Sequence, residues 1–111
     1  MHNTCYIIGN PHGVASHQLA IYDEAMAMVA SGNYSYVYMN IALSTAGLNG
    51  SYRPDTIGIG ANGNTNRIVE VMSPGQDGGR GLSQLMLKLK QMGISNPGAQ
   101  VDLLDRDRKK Q

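Results

Sequence analysis

An Asn-Gly pair set between two runs of β-forming residues restricts this chain more than any other stretch. Asn62 and Gly63 supply the two positive-φ residues that a two-residue hairpin turn needs. Thr56 to Gly60 and Arg67 to Met72 read as the strands that it joins. If the pair makes the turn alone, the facing positions of the ladder are fixed and Asp55 falls opposite Glu70. Two carboxylates then meet at one end of one hairpin. A longer turn over Asn62 to Thr65 pairs Asp55 with Met72 and keeps Glu70 as its diagonal neighbour. Facing acids repel each other and lose hydration together, so a cation or a shared proton is expected between them. The plainer reading makes Asp55 a turn residue behind Pro54 and Glu70 a solvent-facing residue of an alternating strand. Spacing alone favours the plainer reading, and the rest of the chain bears on the choice.

The 111 residues are enough for one domain with its own core. We expect an irregular lead-in over 1–15, a single domain over 16–104 and a charged tail over 105–111. Cys5 is the one cysteine, so no internal disulfide forms, and it reads as a small apolar residue. No apolar run approaches the roughly 20 residues that span a bilayer, so no membrane insertion and no targeting segment are expected. The net charge of +1 is unevenly spread. Arg106, Arg108, Lys109 and Lys110 crowd the C-terminus, and Lys88 and Lys90 sit on a predicted helix. Such a supply suits phosphates, although a solvated tail is the commoner meaning.

The lead-in carries Gly9, Asn10, Pro11 and Gly13, with room for a short strand at Cys5 to Ile8. From Ser16, read as an N-cap, to Ser31 the chain is rich in helix formers, with apolar residues at Leu19, Tyr22, Met26 and Val29 and Gly32 as the stop. His17 and Glu24 share one face of this helix, two turns apart. Tyr34 to Leu43 alternates like a strand. After the hairpin, a glycine-rich run over 73–81 reads as a mobile rim. Leu82, Leu85, Met86 and Leu89 then make the apolar face of a second helix, ended by Gly93. Ala99 to Asp105 is the last strand. The order helix, strand, strand, strand, helix, strand predicts an α/β fold, a small mixed sheet with helices packed on its faces.

These residues in this order resemble the PD-(D/E)xK nuclease superfamily, whose core is an αβββαβ unit with an acid opening the second strand and E-x-K on the third. Pro54-Asp55 matches the first motif, and Glu70-Val71-Met72 matches the second except at its last position. More narrowly, RPD, a hairpin and EVxSPxQ look like the nuclease domains at the C-termini of bacterial polymorphic toxins, including contact-dependent growth-inhibition and Rhs-type toxins. The resemblance covers Ser16 to about Leu104. It implies a restriction-endonuclease-like core and metal-dependent hydrolysis of DNA or transfer RNA. It further implies export on a larger protein at the cell surface, action in a target cell's cytoplasm, and neutralisation by a cognate immunity protein. Asp55, Glu70, the Val71 carbonyl and a helical acid, for which Glu24 is the candidate, would hold Mg²⁺, with Mn²⁺ or Zn²⁺ as alternatives. Arg53, Ser73 and Arg80 are the candidate phosphate contacts.

Met72 stands where the family places its lysine, and a thioether neither donates to water nor stabilises negative charge. Lys88 or Lys90 could reach in from the second helix. Gln76, with Ser73, could position water or phosphate instead. Otherwise catalysis is lost, and the domain is an inactive nuclease-fold module that binds nucleic acid or protein. His17 reads as a helix-start imidazole against solvent or a loop, with a general base or a ligand to a softer metal as the alternative. His12 has no better claim.

Overall fold

The computed structural model describes residues 4–72 and 79–105, the side chains of 79 and 80 excepted. Its elements run β1 (Tyr6–Gly9), α1 (Ala15–Ser31), β2 (Tyr34–Met39), β3 (Thr56–Gly60), β4 (Arg67–Val71), α2 (Gly79–Ser95) and β5 (Gln100–Leu104). The five strands form one mixed sheet in sequence order. β1, β2, β4 and β5 all point the same way, and β3 alone opposes them. The fold is thus α/β with a five-stranded mixed sheet and two helices, and the strand at the head of the chain precedes the six elements expected.

The central hairpin has the expected register. Thr56 faces Val69, Ile57 faces Ile68 and Gly58 faces Arg67. Asn62 and Gly63 both have positive φ, 55° and 83°, and the Asn64 amide donates to the Ala61 carbonyl at 3.0 Å, which closes a type I′ turn. Between ladder and turn the strands open, and the Asn66 side chain accepts the Gly60 amide at 2.8 Å.

Alternation along the strands divides the core between the two faces. Val37, Met39, Val69 and Val71 pack against Ile21, Ala25 and Met28 of α1. On the other face Ile57 and Ile68 pack against Leu85, Leu89 and Met92 of α2, with Leu43 and Ala46 from the loop before β3. Ile21, Val37, Ile57, Ile68, Val69 and Met92 are fully enclosed, each contributing about 1.5–3 kcal/mol through its burial. Both helical crossovers join parallel neighbours and step the same way across the sheet, yet the helices lie on opposite faces. The two connections are therefore of opposite hand, and one departs from the usual right-handed rule. The carboxyl ends of four strands consequently meet the amino ends of both helices at one edge of the molecule.

Several boundaries differ from expectation: β2 ends at Met39 rather than Leu43, and α2 already begins at Gly79, within the stretch expected as a rim. α1 begins at Ala15 behind Val14, with no side-chain cap, so Ser16 is helical rather than capping. α2 continues through Gly93 to Ser95. Asn96 ends it by tying back: its amide and side chain donate to the Met92 carbonyl, and its side-chain oxygen accepts the Asn49 amide at 2.8 Å. That anchoring outside the helix outweighs the glycine.

Candidate active site

At the carboxyl edge the sheet brings Asp55 and Glu70 together. Asp55 lies just before β3 and Glu70 near the end of β4, and they lock through the backbone. The Val71 amide donates to Asp55 Oδ2 at 2.7 Å, and the Asp55 amide donates to Glu70 Oε1 at 3.2 Å. Lys88 reaches from α2 to pair with Glu70 Oε2. From the other side His12 Nε2 hydrogen-bonds Asp55 Oδ1 at 2.7 Å, and His17 Nε2 of α1 stands 3.6 Å from the same oxygen. The two imidazoles meet edge to face, 5.5 Å between centroids. Opposite faces of the sheet thus each send a basic side chain to the same pair of acids.

Two glycines hold the loop that carries His12. Gly9 has φ of 90°, and a Cβ there would stand 2.1 Å from the Met39 carbonyl oxygen, so only glycine lets β1 leave the sheet at this point. Gly13, at φ 94°, lies so close to the His17 ring that a Cβ would meet its Cδ2 at 2.8 Å. The loop is pressed onto the start of α1.

These groups line a cavity of about 220 Å³, with Arg53 and Gln84 at its walls. Asp55, Glu70 and His17 are each no more than 5% exposed. Burial, then the charge of Asp55, push the Glu70 carboxyl up to about 7, and Lys88 pulls it only part of the way back. An acid in that condition favours a proton or a cation near neutral pH. The donor set is uneven, however. All four carboxylate oxygens already have partners from the chain, and Asp55 Oδ1 alone is met by imidazoles, His12 in hydrogen-bond contact and His17 just beyond it.

The sequence candidates fall into three groups. Asp55, Glu70, Val71, Lys88 and Arg53 all border the cavity. Glu24 does not: its carboxylate pairs with Arg67 at 2.5 Å, which also pairs with Asp102 at 2.8 Å, near a separate depression. The site lies at the amino end of α1, and the seven residues from His17 to Glu24 carry the helix about 10 Å away from it. Ser73 and Gln76 lie outside the described residues, and Arg80 is described only as part of the α2 backbone. Met72 packs partly buried against the apolar cluster under α2.

His17 takes the place on α1 that Glu24 was expected to fill, and His12 joins it. The available signal was the pair itself, two histidines five residues apart across a Gly-containing helix start, in a loop that leaves a strand parallel to β2. Loops at the carboxyl ends of parallel strands are where α/β sheets bind ligands. No helix among the described residues is long and apolar enough to cross a membrane. Comparison with protein-family models, with curated proteins and with solved structures gave no match to this chain.

Proposed function

We propose that the chain is a metal-dependent nuclease with a restriction-endonuclease-like core, the toxic domain of a larger bacterial competition protein. The observation that carries this reading is the Asp55, Glu70 and Lys88 constellation in one polar cavity at the end of the hairpin. Its lysine comes from α2, which supplies the function that Met72 lacks. The αβββαβ run from α1 to β5 and the paired acids support it further. The toxin role, the larger carrier and an immunity protein rest on the sequence resemblance.

In this reading a divalent ion would be held at Asp55, with Glu70 and the Val71 carbonyl in the family's pattern, and when bound it would polarise the scissile phosphate and acidify the attacking water. The chain's own residues provide the remainder. Arg53, exposed at the cavity wall, offers a fork of donors to a non-bridging phosphate oxygen. Lys88 donates toward the attacking water or the charge that grows on phosphorus oxygens. Glu70, whose carboxyl is pushed up to about 7 by burial and then by Asp55, can exchange its proton for the ion near neutral pH. The Lys88 ammonium is the group placed to donate to the leaving oxygen as the phosphorus–oxygen bond breaks. The proton that the water loses has a way to solvent through the open side of the cavity, past the half-exposed His12.

The test incubates purified protein with plasmid DNA and with total transfer RNA, in Mg²⁺, Mn²⁺, Zn²⁺ or EDTA. Cleavage that needs metal and disappears in Asp55→Ala is the expected result and names the substrate class. Intact nucleic acid in every tube would move the choice to the inactive binding module, which rested on Met72 and which Lys88 weakens.

A further inference from the structure

The proposed nuclease leaves the class of metal open, and the structure narrows it. We infer that His12, His17 and Asp55 form a three-ligand site for a transition-metal ion of the zinc class, with its open side toward the cavity. The inference rests on the nuclease reading only for what the ion would do, and not for its binding.

Three observations carry it. First, one ring nitrogen each of His12 and His17 and one Asp55 carboxylate oxygen all lie within 4.8 Å of one another. Two of these separations are 2.7 and 3.6 Å, while ligands about 2.0–2.1 Å from a tetrahedral zinc stand about 3.3 Å apart, so small side-chain rotations bring the set to bonding distance. Second, His17 is 5% exposed, lines the cavity and makes no hydrogen bond among the described residues. Its buried unpartnered nitrogen is Nδ1, while Nε2 has no partner within hydrogen-bond reach among the described residues, and an ion there would have that nitrogen as a ligand. Third, the oxygens suited to Mg²⁺ are already engaged. Glu24 is elsewhere, Glu70 is shared between the Asp55 amide and Lys88, and Asp55 Oδ2 accepts from Val71. What remains is Asp55 Oδ1, held by His12 at 2.7 Å, with His17 beside it, a donor set that favours zinc and its neighbours over Mg²⁺, which seeks six oxygens.

Three protein ligands with an open position is the pattern of catalytic rather than structural zinc. The open side looks onto Glu70, Lys88 and Arg53, so a phosphate oxygen or a water would occupy it. One feature limits the affinity. The tautomer that offers His17 Nε2 to metal carries its proton on Nδ1, where no acceptor stands among the described residues. Sites without that outer hydrogen bond bind about 10–100-fold more weakly. The ion should therefore exchange freely and be stripped by EDTA.

Metal-free protein is titrated with Co²⁺, a coloured stand-in for zinc, without nucleic acid. One equivalent should bind with a visible absorption band, Zn²⁺ should displace it, and millimolar Mg²⁺ should not. His12 is half-exposed, so His12→Ala should keep its fold by circular dichroism and lose at least tenfold in Co²⁺ affinity; His17→Gln, similarly checked, should lose as much. No Co²⁺ binding, binding unchanged in His12→Ala, or binding lost in Glu70→Gln while both histidine variants retain it would overturn the inference. Cleavage assayed in parallel separates this site from the nuclease reading. Mg²⁺-dependent cleavage by a protein with no Co²⁺ site leaves the nuclease standing and this site refuted. Histidine-dependent Co²⁺ binding by a protein that cuts nothing does the reverse.

Discussion

β4 carries a charged cluster near each end, and the two have the same make-up. At its start Arg67 stands with Glu24 and Asp102; near its close Glu70 stands with Asp55 and Lys88. Each has two acids and one cation, yet they behave differently because of where the cation sits. The Arg67 guanidinium lies between both carboxylates, at 2.5 and 2.8 Å, and Asp102 also accepts from Gln100 at 2.7 Å. Burial works against the Arg67 charge, but the hydrogen bonds to Asp102 and Glu24 outweigh it and raise its pKa further above the ordinary arginine value. Among the described residues Lys88 pairs with one carboxylate, that of Glu70. Asp55 is left to a backbone amide and two imidazoles, and Glu70 is pushed to about 7. A planar fork between two acids neutralises a pair, whereas a point charge on one of two buried acids leaves them to repel each other.

The comparison breaks hardest under substitution of the acids. Asp55→Ala should reduce metal-dependent cleavage at least about 10³-fold while circular dichroism shows the fold retained. Glu24→Gln should keep cleavage within about threefold of wild type. An equal loss in both variants would show that the two clusters act as one site.

Much of the fold could be read locally. Asn62-Gly63 specified the turn, and with it the facing of Asp55 and Glu70, because a type I′ turn leaves one register. The amphipathic run around Leu85 and Leu89 gave the second helix and left Lys88 and Lys90 both as candidates; only the packing of α2 on the sheet brings Lys88 to Glu70. Glu24 could not be placed in this way. A shared helical face says which side a residue is on, and not how far along it lies from the site; that depends on the end of α1 that abuts the sheet edge. His12 was less legible still, because its position depends on β1 pairing in parallel with β2, a contact between distant segments that no local pattern announces.

The next largest effect separates the clusters by pH. Glu70 has its folded pKa raised from 4.5 to about 7. Between those values the folded protein keeps a proton that the unfolded chain has released, so this group's contribution to stability falls as pH rises from about 4.5 to 7 and stays low above. Glu70→Gln removes that dependence. Its unfolding free energy relative to wild type should climb from pH 4.5 to pH 8 by on the order of 3 kcal/mol, measured by calorimetry in EDTA. A flat difference would mean that Lys88 already compensates Glu70 as fully as Arg67 compensates its acids.

Arg67→Ala probes the balanced cluster. It strands two acids that are only partly buried, with side chains 14% and 29% exposed, so the cost is below that of breaking a fully enclosed pair. A loss of about 2 kcal/mol in urea unfolding is expected, with cleavage preserved at temperatures where the variant stays folded. Loss of cleavage in the folded variant would tie the structural cluster to the site.

The smallest effect tests what keeps Lys88 on one acid. Its Nζ lies 5.8 Å from the centroid of the Tyr52 ring, and Tyr52 is itself 42% exposed, so the attraction is worth about 0.5 kcal/mol. Tyr52→Leu removes the ring face and keeps an apolar side chain beside the lysine stem; cleavage should fall about two- to threefold, with unfolding barely changed. Tyr52→Phe retains the face and should cut as wild type does. If both variants lose activity alike, the hydroxyl matters and Lys88 is held by Glu70 alone. Arg67 has two carboxylates to fix it, whereas Lys88 has one carboxylate and a ring. In the proposed nuclease, that weaker hold would let its ammonium turn from Glu70 toward a substrate phosphate.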